Sequence, residues 1–294
     1  MTGRIIKTLS GFYYVATDNA LFECKARGSF RKSGVSPLVG DIVEFETTEN
    51  EKGIIDEIMP RKNCLVRPPV ANIDKLFIMS AFESPAPNTY LIDKMTVIAE
   101  FNNIEPIIIF NKSDMGDFSE FSAIYENAGF KTYVVSAKEN IGVDAVLSEM
   151  KGCVSAFTGN SGVGKSSLIN ALFGNNNIKT GVVSEKLGRG KHTTRHTELY
   201  ALSGDTYVAD TPGFSSLELE LNNYELKEQL EYLFPDFSDY LSGCKFASCS
   251  HTKEKGCAVL EAVKNGFVEP ARHESYLRLF EEMKYLKSWE SKIK

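Results

Sequence analysis

Residues Gly159-Asn160-Ser161-Gly162-Val163-Gly164-Lys165-Ser166 follow the pattern GxxxxGK(S/T). Few short patterns restrict a fold so strongly, because this one works only between a strand and a helix. Both are legible here. Val154 to Thr158 is a short apolar run suited to a buried strand, and Ser167-Leu168-Ile169-Asn170-Ala171-Leu172 opens a helix. The glycines let the backbone curl until its N–H groups converge on phosphate oxygens, and the helix N-terminus adds partial positive charge. Lys165 is placed to reach the outer phosphates of a nucleotide, and Ser166 to offer a hydroxyl to Mg²⁺. An α/β domain is therefore expected around residue 160.

The flanks belong to something else. A chain of 294 residues has room for two or three domains. Residues 1–70 read as all-β: Arg4 to Leu9, Phe12 to Ala16, Leu21 to Cys24, Asp41 to Glu46 and Gly53 to Ile58 alternate or run apolar between turn signals. Several short strands so closely spaced suggest a small barrel of the OB type. Inside it, Lys25, Arg27, Arg31 and Lys32 crowd a loop around Phe30. A basic loop with an aromatic suits nucleic-acid contact and also suits a solvated surface. Arg67-Pro68-Pro69 reads as the hinge into a βα-alternating domain over 71–221. Strands are expected at Lys75 to Ser80, Pro106 to Phe110, Thr132 to Val135 and Val154 to Thr158, and a hairpin at Thr197 to Ala209. Helices are expected near Tyr90 to Phe101, Phe118 to Ala128 and Val143 to Met150. Asn175 to Arg195 reads as a loop. Residues 222–294 read as mostly helical, with helices near Cys257 to Asn265 and Ala271 to Trp289.

Three more signals select the nucleotide. The strand ending at Phe110 runs into Asn111-Lys112-Ser113-Asp114, an NKxD. A carboxylate at Asp114 can accept from both N1–H and the N2 amino group of guanine, a pair adenine lacks. Asn111 would brace the loops and the Lys112 stem could lie over the base. Ser136-Ala137-Lys138 follows the next strand, positioned to offer a backbone N–H to guanine O6. Asp210-Thr211-Pro212-Gly213 is a DxxG, in which Asp210 would hold Mg²⁺ through water and the Gly213 N–H would meet the γ-phosphate. Strand-end loops share one edge of an open α/β sheet, where ligands bind. The order is unusual: NKxD and SAK precede the P-loop, and DxxG comes last. A site built from strand ends survives such a permutation.

The C-terminal region supplies Cys244-x4-Cys249-x-His251-x5-Cys257. Three thiolates and one imidazole make a closed set for a structural zinc ion. Cys24, Cys64 and Cys153 read as ordinary buried thiols, and His273, at a helix start beside Glu274, reads as surface.

These motifs, with Gly188-Arg189-Gly190-Lys191-His192-Thr193-Thr194, resemble the circularly permuted GTPases, most closely the ribosome small subunit-dependent GTPase A family. The resemblance covers nearly the whole chain. It implies an OB-fold, a permuted GTPase domain and a C-terminal zinc domain. It also implies a bacterial GTPase acting late in assembly of the 30S subunit, with Arg27, Arg31 and Lys32 turned toward 16S rRNA. GTPases of the Ras type place a water-orienting Gln directly after DxxG. That position is Phe214 here, so another residue must act: the loop offers His192 and His196, and His192, beside Thr193-Thr194, is the one the resemblance also points to. The switch threonine, Thr194, is expected to meet Mg²⁺ together with Ser166 and Asp210. Ser167 is expected to join the P-loop contacts. Net charge is −6, which argues against a whole-surface nucleic-acid binder but leaves room for a local basic patch. No run of 18 apolar residues occurs, so no membrane span is expected, and the chain is expected to be cytoplasmic and monomeric. Two other readings stay open: a nucleotide-gated RNA-binding module with incidental turnover, and a GTPase of large-subunit assembly. The N-terminal barrel and the zinc cluster speak against the latter.

Overall fold

The structure, a computed structural model, describes residues 1–30, 34–48, 51–65, 68–83, 85–175, 197–210 and 223–287. The N-terminal strands are β1 (Thr2–Leu9), β2 (Phe12–Ala16), β3 (Leu21–Ala26), β4 (Ile42–Thr48) and β5 (Lys52–Ile58). They run in the order β1-β2-β3-β5-β4, and β1 also pairs with β4, which closes the sheet into a five-stranded barrel. Strand alternation turns Ile5, Val15, Cys24, Val43, Phe45 and Ile55 inward.

The joint to the next domain is packed rather than loose. A two-residue pair, β6 (Cys64–Leu65) and β7 (Val70–Ala71), brackets the expected hinge. Gly40, at φ +94°, lies so close to it that a Cβ there would sit 1.9 Å from the Ala71 carbonyl oxygen. Arg61 grips buried Asp41 at 2.7 and 2.8 Å. Cys64 is exposed, contrary to the expectation of a buried thiol, because the short β6 leaves its outer face uncovered.

The second sheet comprises β8 (Lys75–Ala81), β9 (Glu105–Asn111), β10 (Lys131–Val135), β11 (Val154–Thr158), β12 (Glu198–Ser203) and β13 (Thr206–Asp210), in the order β10-β9-β8-β11-β13-β12. All neighbours are parallel except β12, which is antiparallel to β13. Helices α1 (Thr89–Phe101), α2 (Ser119–Asn127), α3 (Val143–Met150) and α4 (Lys165–Asn175) cover it. Leu76, Ile78, Ile108 and Phe110 join the core of α1 and α2. Their alternates Phe77, Met79, Ile107 and Ile109 join the core of α3 and α4. Burial on both faces explains why these strands read as continuous apolar runs. The barrel meets this sheet where β1 pairs with β12, Lys7 opposite Glu198, with an ion pair at 3.2 Å.

The C-terminal region holds α5 (Tyr224–Gln229), 3-10 turns at Leu230–Leu233 and Pro235–Phe237, and α6 (Ser238–Leu241), α7 (Ala258–Lys264) and α8 (Pro270–Met283). Pro270 sits in the first turn of α8, where a missing N–H costs nothing. His273 is buried, not on the surface as its sequence neighbours suggest: α8 turns that face onto the cysteine loop. Among the described residues no helix is long and apolar enough to cross a membrane.

One buried ion cluster joins this region to the α/β domain. Arg272 on α8 donates to Asp93 on α1 at 2.6 Å and to Asp236 at 2.7 Å, and Arg272 and Asp93 are both 0% exposed. The guanidinium carbon lies 4.7 Å from the Phe234 ring centroid and 5.0 Å from that of Phe130. Burial raises the Asp93 carboxyl above its usual range, and Arg272 opposes that rise. Removing one member of such a cluster leaves uncompensated buried charge. Arg272→Met is expected to cost about 3–5 kcal/mol in urea unfolding. A loss under about 1 kcal/mol, the scale of an exposed pair, would show that the cluster does not anchor α8.

Candidate functional site

The loop after β11 and the first turn of α4 form the floor of the site. Gly159 adopts φ +140°, and a Cβ there would fall 2.3 Å from the Met79 carbonyl oxygen. Gly164 adopts φ +92°, and its Cβ would fall 2.3 Å from Asn111 Nδ2. Both positions need glycine for space as well as for dihedral angle. Val163 is buried below, whereas Asn160, Ser161, Gly162, Ser166 and Ser167 are exposed on the open side. Lys165 folds its ammonium back onto the loop, donating to the Gly159 carbonyl and, at 2.9 Å, to that of Asn160. Burial pulls its pKa down.

Asn111, the last residue of β9, ties this loop to its neighbours. Its Nδ2 donates to the Val163 carbonyl at 2.8 Å, and its Oδ1 accepts from the Ala137 N–H at 3.1 Å. Asn111 is buried. Next to it, Lys112 adopts φ +67° and donates to the Glu83 carbonyl, while the Ser113 N–H bonds the Val135 carbonyl. Asp114 accepts from the Ser136 hydroxyl at 2.6 Å, and Lys138 stands 3.8 Å away. The Ser136 hydrogen bond is the main cause holding the Asp114 carboxyl below the usual range. It is therefore an ionised acceptor at neutral pH, the state needed to take two N–H groups.

Asp210 ends β13, one strand from the P-loop strand; Ala156 pairs with Ala209, so Asp210 reaches the same sheet edge. The structure thus brings Asn111 to Asp114, Ser136 to Lys138, Gly159 to Ser167 and the Asp210 backbone to one edge. His192, Thr194 and Gly213 lie outside the described residues, as do Arg31 and Lys32. Arg27 is described: it pairs with Asp56 and, at 3.0 Å, with Glu46, on the barrel surface.

A second cluster lies in the C-terminal region. One donor atom from each of Cys244, Cys249, His251 and Cys257 falls within 4.8 Å of the others. Cys244 Sγ and Cys257 Sγ are 3.9 Å apart. Metal–sulfur bonds of about 2.3 Å in a tetrahedron set sulfurs about 3.8 Å apart. Burial pushes the Cys249 thiol up to about 12 and raises that of Cys257. Three thiols and an imidazole drawn so close fit a soft divalent cation, which would supply the charge that makes thiolates stable there. The sequence pattern missed two neighbours. Glu231 Oε2 lies 2.7 Å from His251 Nε2, and His273 Nε2 lies 2.8 Å from the His251 carbonyl oxygen. Both sit outside the Cys/His spacing, so no local signal marks them.

Comparison with known proteins settles the family. A sequence model described as the RsgA GTPase matches residues 58–220, and one described as the RsgA N-terminal domain matches residues 2–55. The chain belongs to the RsgA GTPase family. It is 47% identical over 285 residues to the small ribosomal subunit biogenesis GTPase RsgA of Caldanaerobacter subterraneus subsp. tengcongensis, covering 96% of this chain and 95% of that one. It is 41% identical to the protein of the same name from Clostridium kluyveri, covering 98% and 100%. Among solved structures, YloQ, described as a circularly permuted GTPase, superposes with a TM-score of 0.81 at 34% identity over 97% of this chain and 96% of its own. YjeQ from Thermotoga maritima gives 0.79 at 31%, over 97% and 99%. The RsgA fold is thus a permuted GTPase domain behind an OB-like barrel, and GTP hydrolysis is the family's activity.

If Asn111 spaces the phosphate and base loops, Asn111→Ala removes two hydrogen bonds between them. GDP affinity is expected to fall by about 2 kcal/mol, roughly 30-fold, in calorimetric titration. A Kd within twofold of the parent would show that the loops hold their spacing without it.

Proposed function

We propose that this protein hydrolyses GTP in response to the small (30S) ribosomal subunit and acts late in that subunit's maturation, in the cytoplasm and as a monomer. One observation carries the reading: the buried Asn111 amide joins the P-loop to the SAK loop, so that the P-loop and the ionised Asp114 carboxylate share one sheet edge. Family membership and relatives named for small-subunit biogenesis support the partner.

In this reading Asp114 accepts from guanine N1 and N2, Lys112 covers the base, and Ser136 holds Asp114 in its ionised state. Backbone N–H groups of Gly159 to Ser167 take the phosphates, and Lys165 exchanges its carbonyl partners for the outer phosphate oxygens. Ser166, Thr194 and Asp210 would hold Mg²⁺, which neutralises charge on the β- and γ-phosphates. Gly213 would offer its N–H to the γ-phosphate. His192 orients the attacking water by accepting a hydrogen bond from it. Cys244, Cys249, His251 and Cys257 would hold one zinc ion, a closed set that serves structure. On the barrel, Arg27, Arg31 and Lys32 contact 16S rRNA. Exposed pairs such as Arg27 with Glu46 are worth only about 0–1 kcal/mol, so an RNA phosphate can displace the carboxylates.

Base identity tests the nucleotide reading. Asp114→Asn offers one acceptor and one donor where guanine presents two donors, so GTP binding should weaken by up to a few kcal/mol and xanthosine triphosphate binding should improve. Unchanged GTP affinity in that variant would remove Asp114 from the site.

Single-turnover hydrolysis on saturating 30S subunits tests the rest. The parent is expected to accelerate many-fold when subunits are added; no acceleration would leave an RNA-binding module with incidental turnover. His192→Ala should keep GTP affinity and subunit binding yet lose on the order of 10²-fold in stimulated rate. A rate within about twofold, well under 1 kcal/mol of barrier, would exclude His192 as the catalytic group.

A further inference from the structure

We infer that Glu231 is a positioning residue of the metal site: it fixes the His251 ring so that Nδ1, not Nε2, faces the ion. This rests on the reading above that the cluster holds zinc. The geometry separates the two ring nitrogens. His251 Nδ1 lies 3.4 Å from Cys257 Sγ and 3.6 Å from Cys244 Sγ. Its Nε2 points the other way, 2.7 Å from Glu231 Oε2. A neutral imidazole carries one proton. With that proton on Nε2 and donated to the carboxylate, the Nδ1 lone pair is free for the metal, and the carboxylate makes the ring a stronger ligand.

The rest of His251 is held as tightly. Its backbone is left-handed, φ +54°, a conformation that is unfavourable for a residue other than glycine. His273 Nε2 bonds its carbonyl oxygen at 2.8 Å, and the Tyr276 hydroxyl bonds the preceding Ser250 carbonyl at 3.1 Å. Both come from α8. Glu231 comes from the opposite side, on the 3-10 turn Leu230–Leu233, whose Leu230 and Leu233 are buried. Its backbone is therefore anchored by apolar packing of its own. Glu254, the other acid in the loop, is engaged elsewhere: it accepts from the backbone N–H groups of Ser250, Thr252 and Lys253, each at 3.0 Å. Glu231 is the carboxylate the structure places on the histidine ligand.

The test uses the full-length protein with its zinc. Long-range proton–nitrogen NMR of the His251 ring should show metal-bound Nδ1 and protonated Nε2 in the parent. Chelator competition should show zinc affinity reduced about 10–100-fold in Glu231→Ala. Glu231→Gln, which keeps an acceptor at nearly the same place, should recover part of that loss. Zinc bound through Nε2, or equal zinc affinity in the parent and both variants, overturns the role of Glu231 while leaving the zinc reading intact. A parent that holds no zinc overturns both. Should Glu231→Ala not fold, the ring assignment in the parent and the affinity of Glu231→Gln decide the matter.

Discussion

A nucleotide has a fixed length, so a site that reads both its ends must fix the distance between two loops. The Asn111 side chain does this. It is buried, it gives one hydrogen bond to the P-loop at Val163 and takes one from the SAK loop at Ala137. Its fit against Gly164 leaves no room for a Cβ there. The loop proposed to take the phosphates, Gly159 to Ser166, and the loops proposed to read the base are thereby tied to each other through one side chain. The energy of either contact can then be spent on the other without reordering a loop, which is what preorganisation means at a catalytic site.

That constraint is indifferent to chain order. β8, β9, β10, β11 and β13 are parallel, and their C-terminal ends lie along one edge whichever strand comes first. What the permutation changes is attachment. β13 now leads through residues 211–222 into the C-terminal region, and β12 carries the barrel through its pairing with β1. In the unpermuted order the C-terminal region would not continue from the DxxG strand.

The strands and helices of the α/β domain were readable because both faces of its sheet are covered, which forces long apolar runs such as Pro106 to Phe110, and because glycine and NKxD mark the loops. Helix α3 falls on Val143–Met150 as its periodicity indicates. Helix α8 ends at Met283, earlier than its periodicity suggests. Contacts between distant segments left no such trace. His273 beside Glu274 looks like a surface pair, yet its helix face closes over the cysteine loop. Glu231 and Arg272 are common surface types, and only the fold shows one against His251 and the other against Asp93. Cys64 looks like any apolar thiol, but two-residue β6 cannot cover it. Local pattern encodes periodicity and turn chemistry; pairings across 20 to 179 residues of sequence are set by packing alone.

One of those pairings, Arg272 to Asp93, ends on α1. One side of this helix borders the P-loop: Leu91, Ile92 and Met95 share a cleft with Gly159, Asn160 and Val163. The other side carries α8, through Asp93 to Arg272, Lys94 to Glu282 at 3.6 Å, and Arg278 stacked 3.7 Å over Tyr90. Burying Arg272 with two carboxylates is a poor way to gain stability, since well-packed apolar groups often do as well. It is an effective way to exclude alternatives, because any shifted seat for α8 leaves charge unpaired in an apolar layer. Arg272 and His273 are adjacent on α8, so the residue that locks the helix to α1 is next to the one that supports His251. The P-loop, α1, α8 and His251 of the Cys/His cluster therefore form one continuous chain of contacts.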